Sequence, residues 1–444
     1  MTVADTGSIW RQALDRTGHL PSIPARASAM TSDQQDKRPG LMSERRVTVV
    51  GAVLAGLGPA SLSLFTPAMP EIVDAFGTTE EAVKMTLGLY FAGFALTQLV
   101  CGPLSDGYGR KPVTLAFLGI YLVGSLGALV APSIEVLILS RLLQGAGAAV
   151  GLSLSRAIVR DLFAHEQSAR ILNLITLILA LAPALAPTVG GLVMQVFGWH
   201  AIFSIMFLMG IAALLTVRLA LVETVERDPS RARPQAVIRT YGMLLGNSYF
   251  LFSSLVIAGT LGAYYTQATV LPFILMDRLG LTPAQFGLAM LFQSASFISG
   301  SLVMRSLIPR YGAARMVPVG LAISGAGAVA MTIFLGLYEP TFVSVMLPMA
   351  IFVFGNAFVM PAMSVATVAA FPDNAGASAS LSGFMQMGSG LLGTVAAGVL
   401  GDAMLGMSVV VPLMGLGAVL AWLAWRKLPE PALARAIVTK APKR

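Results

Sequence analysis

The chain is cut into stretches of about 20 apolar residues, the length that crosses a hydrocarbon core at 1.5 Å per helical residue. Twelve such stretches are read near 47–69, 82–104, 112–130, 134–156, 170–196, 201–221, 250–275, 285–307, 316–337, 341–364, 376–400 and 407–425. The longest polar gap between them, Val222 to Tyr249, divides them six and six. Only 11% of the 444 residues are charged and 56% are hydrophobic, against about 25% charge in a soluble domain. The expected fold is therefore an all-α membrane protein of two related six-helix bundles, 47–221 and 250–426. A cytoplasmic linker, 222–249, joins them. Residues 1–46 carry no apolar run of signal-peptide length and read as a disordered cytosolic extension. The stretch "MSERR" at Met42–Arg46 makes Met42 an alternative start to Met1. Residues 427–444 read as a cytosolic tail.

Charge placement sets the orientation. With the N-terminus in the cytosol, nearly all Lys and Arg fall in cytosolic segments, as the positive-inside rule requires. Lys84 and Arg278 fall on the far side, and Arg141 lies within span 4. The single cysteine, Cys101, excludes an internal disulfide. Three histidines, with no HExxH, GxSxG or GxxxxGK[ST] pattern, give no support to a metal site, a serine hydrolase or an ATP-driven machine. No cofactor is expected, and neither enzyme activity nor nucleic-acid binding has a supporting constellation.

"GPLSDGYGRKP", residues 102–112, interrupts the apolar text after span 2. Its glycines suit a tight membrane-face turn, and Gly102 admits close approach of another backbone. Asp106, Arg110 and Lys111 can form a charge cluster, with Asp161 at the end of span 4 as a partner for Arg110. A weaker echo, "GSLVMRSLIPRYGAARMVPV" (Gly300–Val319), follows span 8. Both run Gly, turn, Tyr-Gly, base, helix. Paired repeats of this kind mark transporters that bind at the midplane between them.

Residues 102–112 resemble the 2–3 loop signature of the major facilitator superfamily. "LSRLLQGAGAA" (Leu139–Ala149) resembles its fourth-helix motif, and "APALAPTVGG" (Ala182–Gly191) its fifth-helix antiporter motif. With "LFTPAMPEI" (Leu64–Ile72), "GWHAIF" (Gly198–Phe203) and "AGASASLSGFMQ" (Ala375–Gln386), the set is most similar to Bcr/CflA-type multidrug exporters. The resemblance implies a drug:proton antiporter of the bacterial inner membrane that confers antibiotic resistance, with both termini cytosolic. It implies that Asp106 and Arg110 latch one half against the other, with Gly102, Gly109, Lys111 and Asp161 beside them. It implies that Pro183, Pro187, Gly190 and Gly191 seal the outer half of span 5. A merely kinked helix is the alternative. One chain encloses its own pathway, so a monomer is expected.

Arg141 lies about 12 Å into span 4, where a charge is expensive and functional by default. It is expected to face the cavity and pair with carbonyls, Gln144, or an anionic or polar substrate; an arginine snorkelling to the outer interface is the alternative. Gly145, Gly147 and Gly151 read as close-packing positions. Expected cavity residues are Ser63, Phe65, Tyr90, Phe94, Gln144, Tyr264, Tyr265, Gln267, Gln293, Asn356, Met360, Gln386 and Met387. Aromatic and methionine surfaces suit varied amphipathic ligands, and amides orient them. Many members of the resembled family carry an acid in span 1 where this chain has Ser63. No acid falls at mid-bilayer, so Glu71 and then Asp402 are the candidate proton sites, and the resemblance adds Arg141 as a coupling candidate by linking it to proton coupling or helix positioning. Without a central carboxylate, and with Arg141 tilting the potential positive, a preference for neutral or zwitterionic over strongly cationic compounds follows. The alternatives are a specific metabolite exporter or symporter (siderophore, sugar or amino acid), and a non-transporting scaffold or sensor.

Overall fold

In the computed structural model of the protein, residues 41–163, 165–371 and 374–429 are described. They form twelve long helices: α1 (Glu44–Phe65), α2 (Glu80–Tyr108), α3 (Arg110–Leu129), α4 (Ile134–Leu162), α5 (His165–Phe197), α6 (Trp199–Ala220), α7 (Ser248–Pro272), α8 (Pro283–Tyr311), α9 (Ala313–Leu337), α10 (Phe342–Ala369), α11 (Ala375–Val399) and α12 (Val411–Trp425). No strand occurs among the described residues. Eleven helical segments among them are long and apolar enough to cross a membrane. The remaining long helix, α11, is rich in glycine and serine, which lowers its hydropathy.

Hydrocarbon offers no hydrogen bonds, so each span must satisfy its backbone internally. The helix starts are then fixed by caps at the polar ends. Thr79 accepts from the Ala82 amide at the start of α2, and Asn247 from that of Phe250 at α7. Reciprocal capping boxes pair Thr282 with Gln285 at α8 and Thr341 with Ser344 at α10.

The structure adjusts two expectations. Residues 44–46 of the anticipated disordered extension belong to α1, and Arg46 Nε donates to the Ala220 carbonyl at 2.6 Å. Residues 1–40 and 430–444 lie outside the described residues. The gap 222–249 holds a twelve-residue helix, Pro234–Leu245. The Tyr241 hydroxyl on it donates to the Leu99 carbonyl of α2 at 2.7 Å. Burial pushes that phenol up to about 12, so it stays a donor at neutral pH.

Helix packing repeats after a shift of six. The pairs α1·α5, α2·α4, α3·α4 and α3·α6 recur as α7·α11, α8·α10, α9·α10 and α9·α12. The two most extensive contacts that join the sets, α2·α11 and α5·α8, map onto each other under the same shift. Each set is centred on one glycine-bearing helix. A methyl on Gly145 or Gly151 of α4 would collide with the Tyr90 or Leu54 carbonyl, and one on Gly147 with the Tyr121 amide. On α10, a methyl at Gly355 would meet the Ser324 amide at 2.5 Å. Small residues thus let backbones touch where lipid supplies no hydrophobic drive for association. This is the close packing read from the glycine spacing.

Candidate functional site: a central cavity flanked by two charged ends

Between the two helix sets lies a cavity of about 300 Å³. Its walls come from α1, α2, α4 and α5 on one side and α7, α8, α10 and α11 on the other. Aromatic rings from both sides meet in it: Tyr90 and Phe94 from α2, Tyr264 and Tyr265 from α7. The Tyr90 hydroxyl is tied to the Gly58 carbonyl at 2.9 Å, which fixes its ring as wall. Phe91 carries the aromatic contact across, its ring centroid 4.9 Å from that of Tyr265. Gln293, Asn356 and Gln386 supply amides, and Met360 and Met387 adaptable surface. The Asn356 Oδ1 accepts from Ser324 Oγ at 3.0 Å, and Gln386 Nε2 donates to Ser382 Oγ at 3.0 Å. Ser63 lines the wall where the resembled family often has an acid.

Three expected lining residues lie elsewhere. Phe65, Gln144 and Gln267 are buried outside the wall. Gln267 sits inside α7 with no hydrogen-bond partner for either amide atom among the described residues. Phe65 and Gln144 belong instead to the surroundings of Arg141.

Arg141 is 0% exposed and does not face the cavity, contrary to expectation. Its guanidinium carbon lies 4.4 Å from the Phe65 ring centroid and 4.5 Å from that of Tyr90. Tyr90 therefore stands between it and the cavity. Nη1 donates to Gln144 Oε1, and Gln144 Nε2 donates to Ser125 Oγ at 2.8 Å. Nε and Nη2 have no partner among the described residues, and no carboxylate pairs with the group. Ring faces replace a counter-ion here. Desolvated cation–π contacts contribute about 2 kcal/mol each.

At one end of the bundle, the Arg110 end, α2 stops at Tyr108 and α3 starts at Arg110. Gly109 joins them at φ 104°, a conformation L residues avoid. Arg110, only 7% exposed, donates through Nε to Asp161 Oδ2 at 2.9 Å and pairs through Nη1 with Asp106. Thr224 Oγ1 also donates to Asp161 Oδ2, at 3.0 Å. Glu223 escaped the sequence reading. Its carboxylate accepts from the Arg110 amide at 2.8 Å and the Lys111 amide at 3.2 Å, satisfying two free donors at the positive end of α3. Lys111 Nζ donates to the Arg218 carbonyl at 2.9 Å.

All of these partners lie before residue 225, so the cluster ties helices of the first set together. It does not itself bridge to the second set, as the latch expectation required. The bridge at this end is steric. A methyl on Gly102 would lie 3.7 Å from Ser380 Oγ on α11, and Gly383 of α11 leaves room for the Gln98 amide of α2.

At the opposite, Lys84 end, the sets also touch. Lys84, expected on the exterior face, is 0% exposed. Its Nζ pairs with Glu80 Oε2 at 2.8 Å and lies 5.0 Å from the ring of Phe273, which follows α7. The EEAVK run, with acid and base four apart on one helix face, was the available signal. The α5 motif serves the same end. α5 continues helically through Pro183 and Pro187. Thr188 Oγ1 donates to the Gly287 carbonyl of α8 at 2.8 Å. A methyl on Gly190 would meet the Leu64 carbonyl at 2.5 Å, and one on Gly191 would strike the Pro283 carbonyl.

Like Arg141, the two acidic coupling candidates are not brought to the cavity wall. Glu71 is exposed on the short helix Met69–Phe76, near Gly198. Asp402 pairs with Arg278 at 3.2 Å and caps the Met404 amide at 2.6 Å, an ordinary structural role. No group of three or more His, Cys, Asp or Glu among the described residues could hold a metal ion.

The family model described as Major Facilitator Superfamily matches residues 51–273 and 254–443. The chain belongs to the Major Facilitator Superfamily. The family and fold are those of membrane transporters, not enzymes, and the superfamily's members carry small molecules across multi-pass helical bundles. The chain is 32% identical over 257 residues to an uncharacterized MFS-type transporter, YdgK, of Bacillus subtilis (strain 168). That match covers 57% of this chain and 63% of the relative, a little under two thirds of its length. It is 28% identical over 344 residues to a bicyclomycin resistance protein homolog of Haemophilus influenzae (strain ATCC 51907 / DSM 11121 / KW20 / Rd), covering 77% of this chain and 85% of the relative. The crystal structure of a D-xylose-proton symporter superposes with a TM-score of 0.67 at 12% identity, over 87% of this chain and 98% of the other, a likeness of fold alone.

Proposed function

We propose that this superfamily member exports drugs or drug-like small molecules across the bacterial cytoplasmic membrane by alternating access, driven by proton antiport. The observation that carries this reading is the cavity itself. It lies between two six-helix sets that repeat each other's packing, and it presents aromatic, methionine and amide side chains from both. The name of the Haemophilus relative, a resistance protein homolog, supports a drug-like cargo.

The Arg110 end faces the cytosol in this reading, together with both chain ends, because basic residues concentrate there. The Lys84–Phe273 and α5–α8 contacts then form the extracellular seal, and substrate enters from the Arg110 end. Export requires these contacts to part while α2 and α11 stay joined through Gly102 and Gly383. The single chain encloses the cavity and acts as a monomer.

Purified protein in proteoliposomes tests coupling. Vesicles loaded at acidic pH and diluted into alkaline buffer should accumulate bicyclomycin well above its equilibrium level, and a protonophore should abolish the accumulation. Uptake at one rate with and without the gradient would remove proton antiport.

A further inference from the structure

One charged side chain lines the cavity, and it is a cation. Arg156 of α4 is on the wall, while no Asp, Glu, Lys or His among the described residues is. Its side chain is exposed and makes no hydrogen bond or ion pair with a described residue. Arg110, by contrast, is fully engaged by two carboxylates at the end of the bundle. Arg156 and Arg141 lie on the same helix, about 22 Å apart along its axis. Arg141, behind Tyr90, adds positive potential to the same compartment without reaching its surface. The opposite wall offers Gln293, Asn356 and Gln386, neutral groups that cannot neutralise either cation.

A guanidinium left uncompensated beside an apolar wall strengthens its attraction to an anion that displaces its water. The rest of the cavity is suited to an apolar body, since Tyr264, Tyr265 and Met387 face the space Arg156 borders. A volume near 300 Å³ limits that body to a small molecule.

The geometry points to Arg156 as the specificity-determining residue of this cavity, selecting amphipathic substrates that carry a carboxylate or comparable anion, free or within a zwitterion. This assignment rests on the exporter reading and goes beyond it by naming the substrate class. It also replaces Arg141, in the sequence reading, as the group that disfavours cations at the binding surface.

The test uses a dansyl-labelled aliphatic carboxylate, its methyl ester and its ammonium analogue, binding to the full-length protein in detergent and crossing proteoliposome membranes. The wild type should bind the carboxylate about 10-fold or more tighter than the ester, the effect of one charge-assisted contact. The ammonium probe should bind weakest. Arg156→Gln should bring carboxylate and ester to within about 2-fold of each other while ester binding holds, which also shows that the variant is folded. Arg156→Lys should restore part of the preference. Arg160→Gln changes a neighbouring base of α4 that is not on the wall, and it should leave the preference intact.

The assignment is overturned by equal carboxylate and ester binding in the wild type, or by no carboxylate binding at all. It is likewise overturned if Arg156→Gln weakens both probes alike, or if Arg160→Gln has the same effect as Arg156→Gln. Flux separates the two readings. Charge-selective binding without transport supports the site and defeats the exporter. Ester transport without charge selectivity keeps the exporter and defeats the site.

Discussion

The joints Tyr108-Gly109 and Tyr311-Gly312 occupy matching places in the two helix sets, after α2 and after α8. Their backbones agree. Both glycines are at positive φ, 104° and 78°, and each starts the next helix without a side-chain cap of its own. Even the tyrosines match, at 51% and 52% exposure. The chemistry differs. Arg110 is buried among Asp106, Asp161 and Ser105, with Glu223 on the helix start. Arg310 and Arg315 are exposed and have no ion-pair or hydrogen-bond partner among the described residues. A methyl on Gly312 would meet nothing within 4 Å. The duplicated feature is a backbone device for turning the chain at the membrane face. The charge cluster stands at one joint and has no counterpart among the described residues of the other, so the repeat in sequence does not extend to the charges.

The sharpest way to break this contrast is to remove the two bases in parallel. Arg110→Ala leaves two carboxylates facing each other in a partly desolvated joint. Breaking a buried pair costs roughly 3–5 kcal/mol. Asp106 is substantially solvated, so about 2–3 kcal/mol of destabilisation is expected here. Transport should fall with it. Arg310→Ala should change stability by less than about 0.5 kcal/mol. Thermal unfolding in detergent and flux in proteoliposomes read both variants. Equal losses would mean that the second joint carries an interaction of the same weight.

What the sequence made legible follows from the solvent. Each span must be apolar, about 20 residues long and internally hydrogen-bonded, so the α1 to α12 pattern is written in the chain. Gly145, Gly147 and Gly151 were readable because their spacing places them on one helix. Ten of the residues expected on the cavity wall are there, from Ser63 to Met387. The failures share a cause. The rings that sandwich Arg141 come from α1 and α2, and no periodicity on α4 reveals whether a neighbour's ring will stand between a side chain and the cavity. Glu223 lies on the far side of three intervening helices from Arg110 in the chain, so its role depends on where α6 ends. Arg156 looked like one more cytosolic-side base because basic residues near helix ends are common there. Which side of α4 opened to a cavity was a tertiary fact.

The glycines themselves sharpen the comparison next. Gly109→Ala and Gly312→Ala both force an L residue to positive φ, a strain of about 1–2 kcal/mol. At Gly109 the added methyl would also lie 2.5 Å from Glu223 Oε2. That carboxylate must then move off the Arg110 and Lys111 amides. Gly109→Ala should therefore be more destabilising by about 1 kcal/mol, the scale of a lost helix cap. Indistinguishable melting shifts for the two variants would show that Glu223 contributes no close contact at this joint.

The smallest expected effect isolates the charge from the hydrogen bond. Glu223→Gln keeps an acceptor at the start of α3 but removes the negative charge that meets its positive end. The loss should be about 0.5–1 kcal/mol, shrinking as salt is raised, because helix-terminus charge effects are screened. Glu223→Ala removes the acceptor as well and should cost about 1 kcal/mol more. The second joint has no corresponding acid to remove, so placing one there supplies the converse. An acidic residue at Arg315 lies in the first turn of α9, and Arg315→Glu should stabilise that helix start by a few tenths of a kcal/mol, with the same salt dependence. If Glu223→Gln were neutral at low salt while Glu223→Ala was not, the first joint would be held by hydrogen bonding alone. The distinction between the two joints would then be one of acceptor geometry, with charge playing no part at the start of α3.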